Sequence, residues 1–138
     1  MVNKALAESY LKRCRIRIEI LEEFLKRKAY ADVIREAQEI IELLEKAILI
    51  EIGIDPPKWH DVIDIVIEHI KKLSKEIKKE ILSLRNYLKY LRTQREIAFY
   101  GDADFIPDDF YSEEDAKKAI EIARKMLEIT EEIFKERK

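Results

Sequence analysis

Two arginines three residues apart, in the stretch YLKYLRTQREIAFYGDADF at residues 87–105, are the side chains of this sequence best placed for chemistry. Apolar residues recur at Ile77, Ile81, Leu84, Leu88 and Leu91 in alternating steps of four and three. The next step lands on Arg95, and only the one after it returns to a hydrophobe, Ala98. A guanidinium is always charged, and withdrawing it from water costs several kcal/mol unless an anion and hydrogen bonds receive it. Arg95 therefore calls for an anion. One source is structural: Asp102, Asp104 or an acidic group on a neighbouring helix. The other is a phosphate, whose oxygens the planar guanidinium binds through two parallel hydrogen bonds. On that second reading Arg92, Arg95 and Tyr100 line a cleft for phosphate or an RNA backbone, with the Tyr100 ring available to stack on a base.

Other constellations offer less. Gly53 and Gly101 are the only glycines and belong to no spaced set, so neither a P-loop nor a dinucleotide fingerprint is present. His60, Asp61, Asp64 and His69 include one pair at helical i, i+4 spacing, His60 with Asp64. The two histidines nine residues apart point different ways on a helix and no thiolate pair assists, so surface or capping roles are expected and no metal site. Cys14 stands on an apolar stripe, where a small buried thiol is expected rather than a nucleophile. No cofactor is implied by any motif.

The elements that must position these residues follow from composition and period. Of 138 residues, 41% are charged and 47% hydrophobic, with two Gly and three Pro, a balance that favours helices and leaves little for loops. Abundant Lys, Glu and Ile beside scarce Asn and Gln is a thermophile-like composition. The length suits one domain, residues 1–138. The net charge of −2 gives no global basic field, yet residues 71–95 carry nine basic groups against Glu76 and Glu80, and residues 101–115 are purely acidic. Such segregation is expected to reflect a solvated face with a complementary neighbour. A lone cysteine, the lack of a signal-peptide core and the lack of a long apolar run point to a soluble cytoplasmic protein without membrane contact.

Periodicity predicts a first helix over residues 2–27, with Leu6, Tyr10, Cys14, Ile18, Leu21 and Leu25 on one face. The period-two stretch RIRIEI is assigned to this helix and not to a strand, because no turn residue flanks it. A second helix runs from about Ala31 to Ile52 and stops at Gly53. A third, shorter one is expected to begin near Trp59 or His60, and a fourth, capped by Ser74, to continue through Tyr100. GDADFIPDDFY reads as a loop, after which Ser112 caps a fifth helix that buries Ala116, Ala119, Ile120, Ala123, Leu127 and Phe134. The sum is an all-α, up-and-down bundle of about five helices. Further apolar residues on the fourth helix, Leu82, Tyr87 and Tyr90, give it a second greasy face and so a second neighbour, expected in another subunit.

The segments AYADVIREAQEIIELLEKAILIEIGIDPPKWHDV, LRTQREIAFYGD and FYSEEDAKKAIEIA together resemble the HEPN domain (higher eukaryotes and prokaryotes nucleotide-binding). The features that carry the resemblance are Ala37, Glu42 and Lys46, then Gly53, Ile54, Pro57, Lys58 and His60, then Arg95 to Asp102, then Tyr111 and Ala116. The resemblance implies a helical homodimer with a ligand cleft between the copies, often beside a minimal nucleotidyltransferase in a toxin–antitoxin-like pair. It adds Lys58, His60 and Asp102 to Arg92, Arg95 and Tyr100 as residues expected to bind nucleotide or RNA. Many such toxins are metal-independent ribonucleases in which four to six residues separate the arginine from a following histidine. Here those positions hold Tyr100, Gly101 and Asp102 after Arg95, and Ile97, Ala98 and Phe99 after Arg92. Without an imidazole the ready general acid or base near neutral pH is missing, which argues for binding over cleavage. Arg95 is the catalytic candidate if the site is a rewired ribonuclease; a purely structural interaction module is the third reading.

Overall fold

The computed structural model describes residues 3–58, 61–100 and 105–137, the side chain of residue 96 excepted. Four long helices, α1 (Lys4–Lys26), α2 (Tyr30–Glu51), α4 (Lys75–Tyr100) and α6 (Glu113–Glu136), alternate in direction and make the expected all-α bundle. The short helix α3 (Val62–Glu68), a 3₁₀ turn (Ile70–Lys72) and the single-turn α5 (Pro107–Phe110) fill the connections. Among the described residues no helix is long and apolar enough to cross a membrane.

The centre of the bundle is α2. Its Val33, Ala37, Ile40, Ile41, Leu44, Ala47 and Ile48 are all fully buried, as the 3.6-residue period requires. Cross-helix pairs fix the directions of its neighbours. Arg17 of α1 meets Glu36 and Glu39 while Lys4 reaches Glu51, so α1 and α2 run antiparallel. Arg15 pairs with Glu131 and Glu22 with Arg124, which sets α6 antiparallel to α1.

Helix ends follow from local chemistry. Both α1 and α2 close with the Schellman pattern: Ala29 N–H to Phe24 C=O with Lys28 N–H to Leu25 C=O, and Ile54 N–H to Leu49 C=O with Gly53 N–H to Ile50 C=O. The left-handed residue is Gly53 in the second case, at φ 90°, but Lys28 in the first, at φ 61°. Ser74 Oγ accepts from Ile77 N–H, and Ser112 and Asp115 form a reciprocal capping box at the start of α6.

Four expectations need correction. The buried stripe of α1 is Ala7, Leu11, Cys14, Ile18 and Leu21, while Leu6 is exposed and Tyr10 and Leu25 are half-buried. The four-three steps back from Cys14 lead to Leu11 and Ala7, one position round from Tyr10 and Leu6. Helix α3 starts at Val62, because Asp61 takes the N-cap and accepts from Ile63 N–H at 3.3 Å. The acidic loop contains the turn α5, made possible by Pro107 at its first position and Asp108 and Asp109 at its positive end. On α6 it is Met126, not Leu127, that is fully buried.

Candidate functional site

Helices α2 and α4 cross-link in descending order: Arg92 Nη1 lies 4.0 Å from Glu42 Oε1, and Arg95 Nη2 lies 3.8 Å from Glu39 Oε1. Leu91 and Ala98, on either side of Arg95 in the stripe, are buried. The arginine is not: 41% of its side chain is exposed. A long aliphatic stem lets the guanidinium leave the seam and reach the edge of the bundle. The expected burial of this charge is thus corrected to an edge position. Its anion is Glu39 of a neighbouring helix, one of the structural sources anticipated; Asp102 and Asp104 lie outside the described residues.

Glu39 serves three cations. Arg17 Nη2 donates to its Oε2 at 3.1 Å, while Arg35 Nη2 and Arg95 Nη2 stand 3.6 and 3.8 Å from its Oε1. Arg17 is bonded to two carboxylates, since its Nε also donates to Glu36 Oε1 at 2.6 Å. Three guanidiniums against these two carboxylates leave one positive charge in excess. Beyond them Arg35 Cζ sits 4.2 Å from the centre of the Phe99 ring, and Phe99 packs edge-on to Tyr100 at 4.6 Å. Phe99 is 50% exposed and Tyr100 74%. Together Arg35, Arg95, Phe99 and Tyr100 line a pocket of about 150 Å³. Arg35 and Phe99 escape a reading along α4 alone, because the first comes from α2 and the second resembles an ordinary helix-end packing residue.

On the other side of Arg95 a second pocket, about 280 Å³, is lined by Asp61, Arg92, Thr93 and Arg95. Asp61 Oδ1 faces Arg92 Nε at 3.6 Å and Oδ2 faces Lys89 Nζ at 3.7 Å, while Lys89 donates to Asp64 at 2.7 Å. The basic run of α4 is therefore answered by carboxylates of α2 and of the start of α3. Nearby Glu45 is 3% exposed. Burial first, then the charges of Asp61, Glu42 and Asp64, push its carboxyl well above the usual range against the opposing pull of Arg92, which favours the neutral acid. Tyr111, itself buried, donates to Gln94 Oε1 at 2.9 Å and ties the α5–α6 junction to α4 beside this region.

The remaining anticipated residues are less gathered. Lys58 is exposed and lines neither pocket. His60 lies outside the described residues, as does Asp102. Among the described residues no imidazole lines either pocket, and no three potential ligands cluster around a metal position. Cys14 is fully buried, its Sγ 3.5 Å from the Ile40 carbonyl, and burial pushes the thiol up to about 12 despite Arg17 and Arg13. The site thus offers guanidiniums for an anion, exposed rings for stacking and a carboxylate for hydrogen-bond donors.

Neither a curated protein nor a solved structure matches this chain. The family model of the HEPN domain does, over residues 7–133, from the first turns of α1 to the last turn of α6. With that span and an all-helical bundle that fits it, the chain belongs to the HEPN domain family.

Proposed function

We propose that this protein binds nucleotide or RNA at the arginine-lined edge between α2 and α4, through Arg92, Arg95 and Tyr100 together with Arg35 and Phe99. One observation carries the reading. Arg92 and Arg95 stand 3.6–4.0 Å from their carboxylates and, among the described residues, make no hydrogen bond to them, whereas Arg17 is bonded at 2.6 and 3.1 Å. Among the described residues their N–H groups are left for the short, charge-assisted bonds a phosphate accepts. Exposed rings beside them suit base stacking, which contributes about 1–3 kcal/mol per base in single-strand binders.

The chain acts as one domain and pairs with a second copy. Leu82 and Tyr90 support the pairing, since they leave an exposed apolar face on α4. Membership of the family supports the same arrangement, with a minimal nucleotidyltransferase as partner in a toxin–antitoxin-like pair and the cytoplasm as its place of action.

The test is thermal unfolding with AMP, ATP and short RNAs at low and high salt. A ligand at a hundred times its Kd stabilises by about 2.7 kcal/mol, and the gain shrinks as salt rises. Arg95→Ala removes the gain, while Arg124→Ala, which disrupts a surface pair with Glu22, keeps it. If no nucleotide or RNA raises the melting temperature, the arginines are structural and the proposal is wrong.

A further inference from the structure

Glu45 follows Glu42 by three residues on α2, so the two carboxyls share the face that meets α4. Glu42 stays at the edge, whereas Glu45 is 3% exposed. Around it the ions are already matched. Glu42 lies 3.9 Å from Lys46 and 4.0 Å from Arg92, Asp61 lies 3.6 Å from Arg92 and 3.7 Å from Lys89, and Asp64 accepts from Lys89 at 2.7 Å. Three carboxylates thus meet three cations, and among the described residues Glu45 takes part in none of these pairs. With its proton, Glu45 leaves the cluster balanced. Without it the cluster holds one negative charge in excess, in a place that water scarcely reaches and where a lone ion is costly.

An ionised Glu45 must therefore recruit a cation. Lys89 is held by its short bond to Asp64, and Lys46 is the next residue along the helix, where adjacent side chains do not face each other. Arg92 is under neither constraint: its carboxylates stand 3.6 and 4.0 Å away, and its charge already acts on Glu45. The same arginine lines the larger pocket with Asp61, Thr93 and Arg95. Its guanidinium is thus open to two claims, one from an anion in the pocket and one from Glu45.

We infer that Glu45 is a proton-controlled latch on Arg92: with the proton in place the guanidinium faces the pocket and receives an anion, and once the proton leaves, the carboxylate draws Arg92 off and the pocket loses affinity. The consequence for binding rests on this edge being the nucleotide or RNA site. Coupling of this kind is reciprocal, so a bound anion favours the protonated acid, and ligand and proton enter together.

The experiment has an arm without ligand and an arm with one. Carbon-detected NMR of the full chain follows the Glu45 carboxyl and the Cζ of Arg92 and Arg95 from about pH 5 to about pH 9, a span that reaches the values known for buried glutamates. Arg92 shifts with the midpoint of Glu45 while Arg95, paired with Glu39, does not, and in Glu45→Gln the Arg92 signal is flat. Calorimetry over the same span then measures a short oligoadenylate with hydroxyl ends, whose phosphodiesters keep their charge throughout, in buffers of different ionisation enthalpy. Its affinity falls at least ~5-fold as pH rises, the lower end of ordinary coupling between sites, with net uptake of a proton on binding. Glu45→Gln loses the uptake and most of the pH dependence. A Glu45 that ionises at the ordinary glutamate value, an Arg92 signal that ignores its titration, or an affinity equally dependent on pH in Glu45→Gln overturns the latch and leaves the binding proposal in place. Titration of Arg92 with Glu45 but no binding of the oligoadenylate at any pH supports the latch and overturns the binding proposal.

Discussion

The guanidinium of Arg95 stands 3.8 Å from Oε1 of Glu39, whose other oxygen accepts from Arg17 at 3.1 Å. One carboxylate therefore has one firm partner and, with Arg35 at 3.6 Å, two loose ones. Arg17 is 23% exposed and its second acceptor, Glu36, 12% exposed, so Arg17→Ala strands the Glu36 carboxylate and leaves Glu39 only its longer pairs with Arg35 and Arg95. That change is expected to destabilise by about 1–2 kcal/mol, between the values for exposed and buried pairs. Arg95→Ala is expected to alter stability by less than about 0.5 kcal/mol, the range of ordinary surface changes. Urea titrations of the two variants check the contrast; equal losses would place Arg95 among the structural pairs.

Glu45 makes stability depend on pH in a definite direction. Its folded-state pKa lies above the ordinary glutamate value of 4.5, so between the two values the native chain holds a proton that the unfolded chain has released. The contribution from this group is therefore most favourable below pH 4.5 and declines as pH rises through the interval. Glu45→Gln retains the shape and a donor while removing the ionisation. At pH 7 the variant is expected to melt above the parent, with the gap closing as pH falls toward 4.5. A gap that is constant with pH would show that Glu45 does not titrate in this way.

Lys28 holds φ at 61° in the α1 Schellman turn, a conformation that costs a residue with a Cβ about 1 kcal/mol or more. Gly53 occupies the equivalent place after α2 without that penalty. Lys28→Gly is expected to stabilise by up to about 1 kcal/mol, or about 2–4 °C in melting temperature for a domain of this size. Calorimetry on the variant decides it, with a lowered melting temperature counting against the strain assigned to this turn.

The bundle was legible in the sequence wherever period and punctuation agree. On α2 each predicted apolar position is buried, and Gly53 and Ser112 end and begin helices as their types dictate. On α1 the pattern was degenerate, because Leu6, Tyr10, Ile16 and Ile20 add apolar residues outside the stripe and only packing decides which row faces inward. The site was half legible. Arg95 announced itself by interrupting a stripe, but its exposure depends on where its long stem ends, which residue type alone does not fix. Arg35, Glu39, Phe99 and Asp61 come from three different parts of the chain, and only the antiparallel crossing of α2 and α4 brings them to one edge.

Cys14, sealed between α1 and α2 with its thiol against the Ile40 carbonyl and its pKa pushed up to about 12, offers a built-in clock. An alkylating reagent needs the thiolate and needs access, and the closed bundle denies both. Modification is therefore expected only when α1 lifts from α2, so the labelling rate in native buffer reports how often the bundle breathes open. Any added ligand that holds the helices together slows that clock, which turns a single interior sulfur into a reporter for events at the arginine-lined edge.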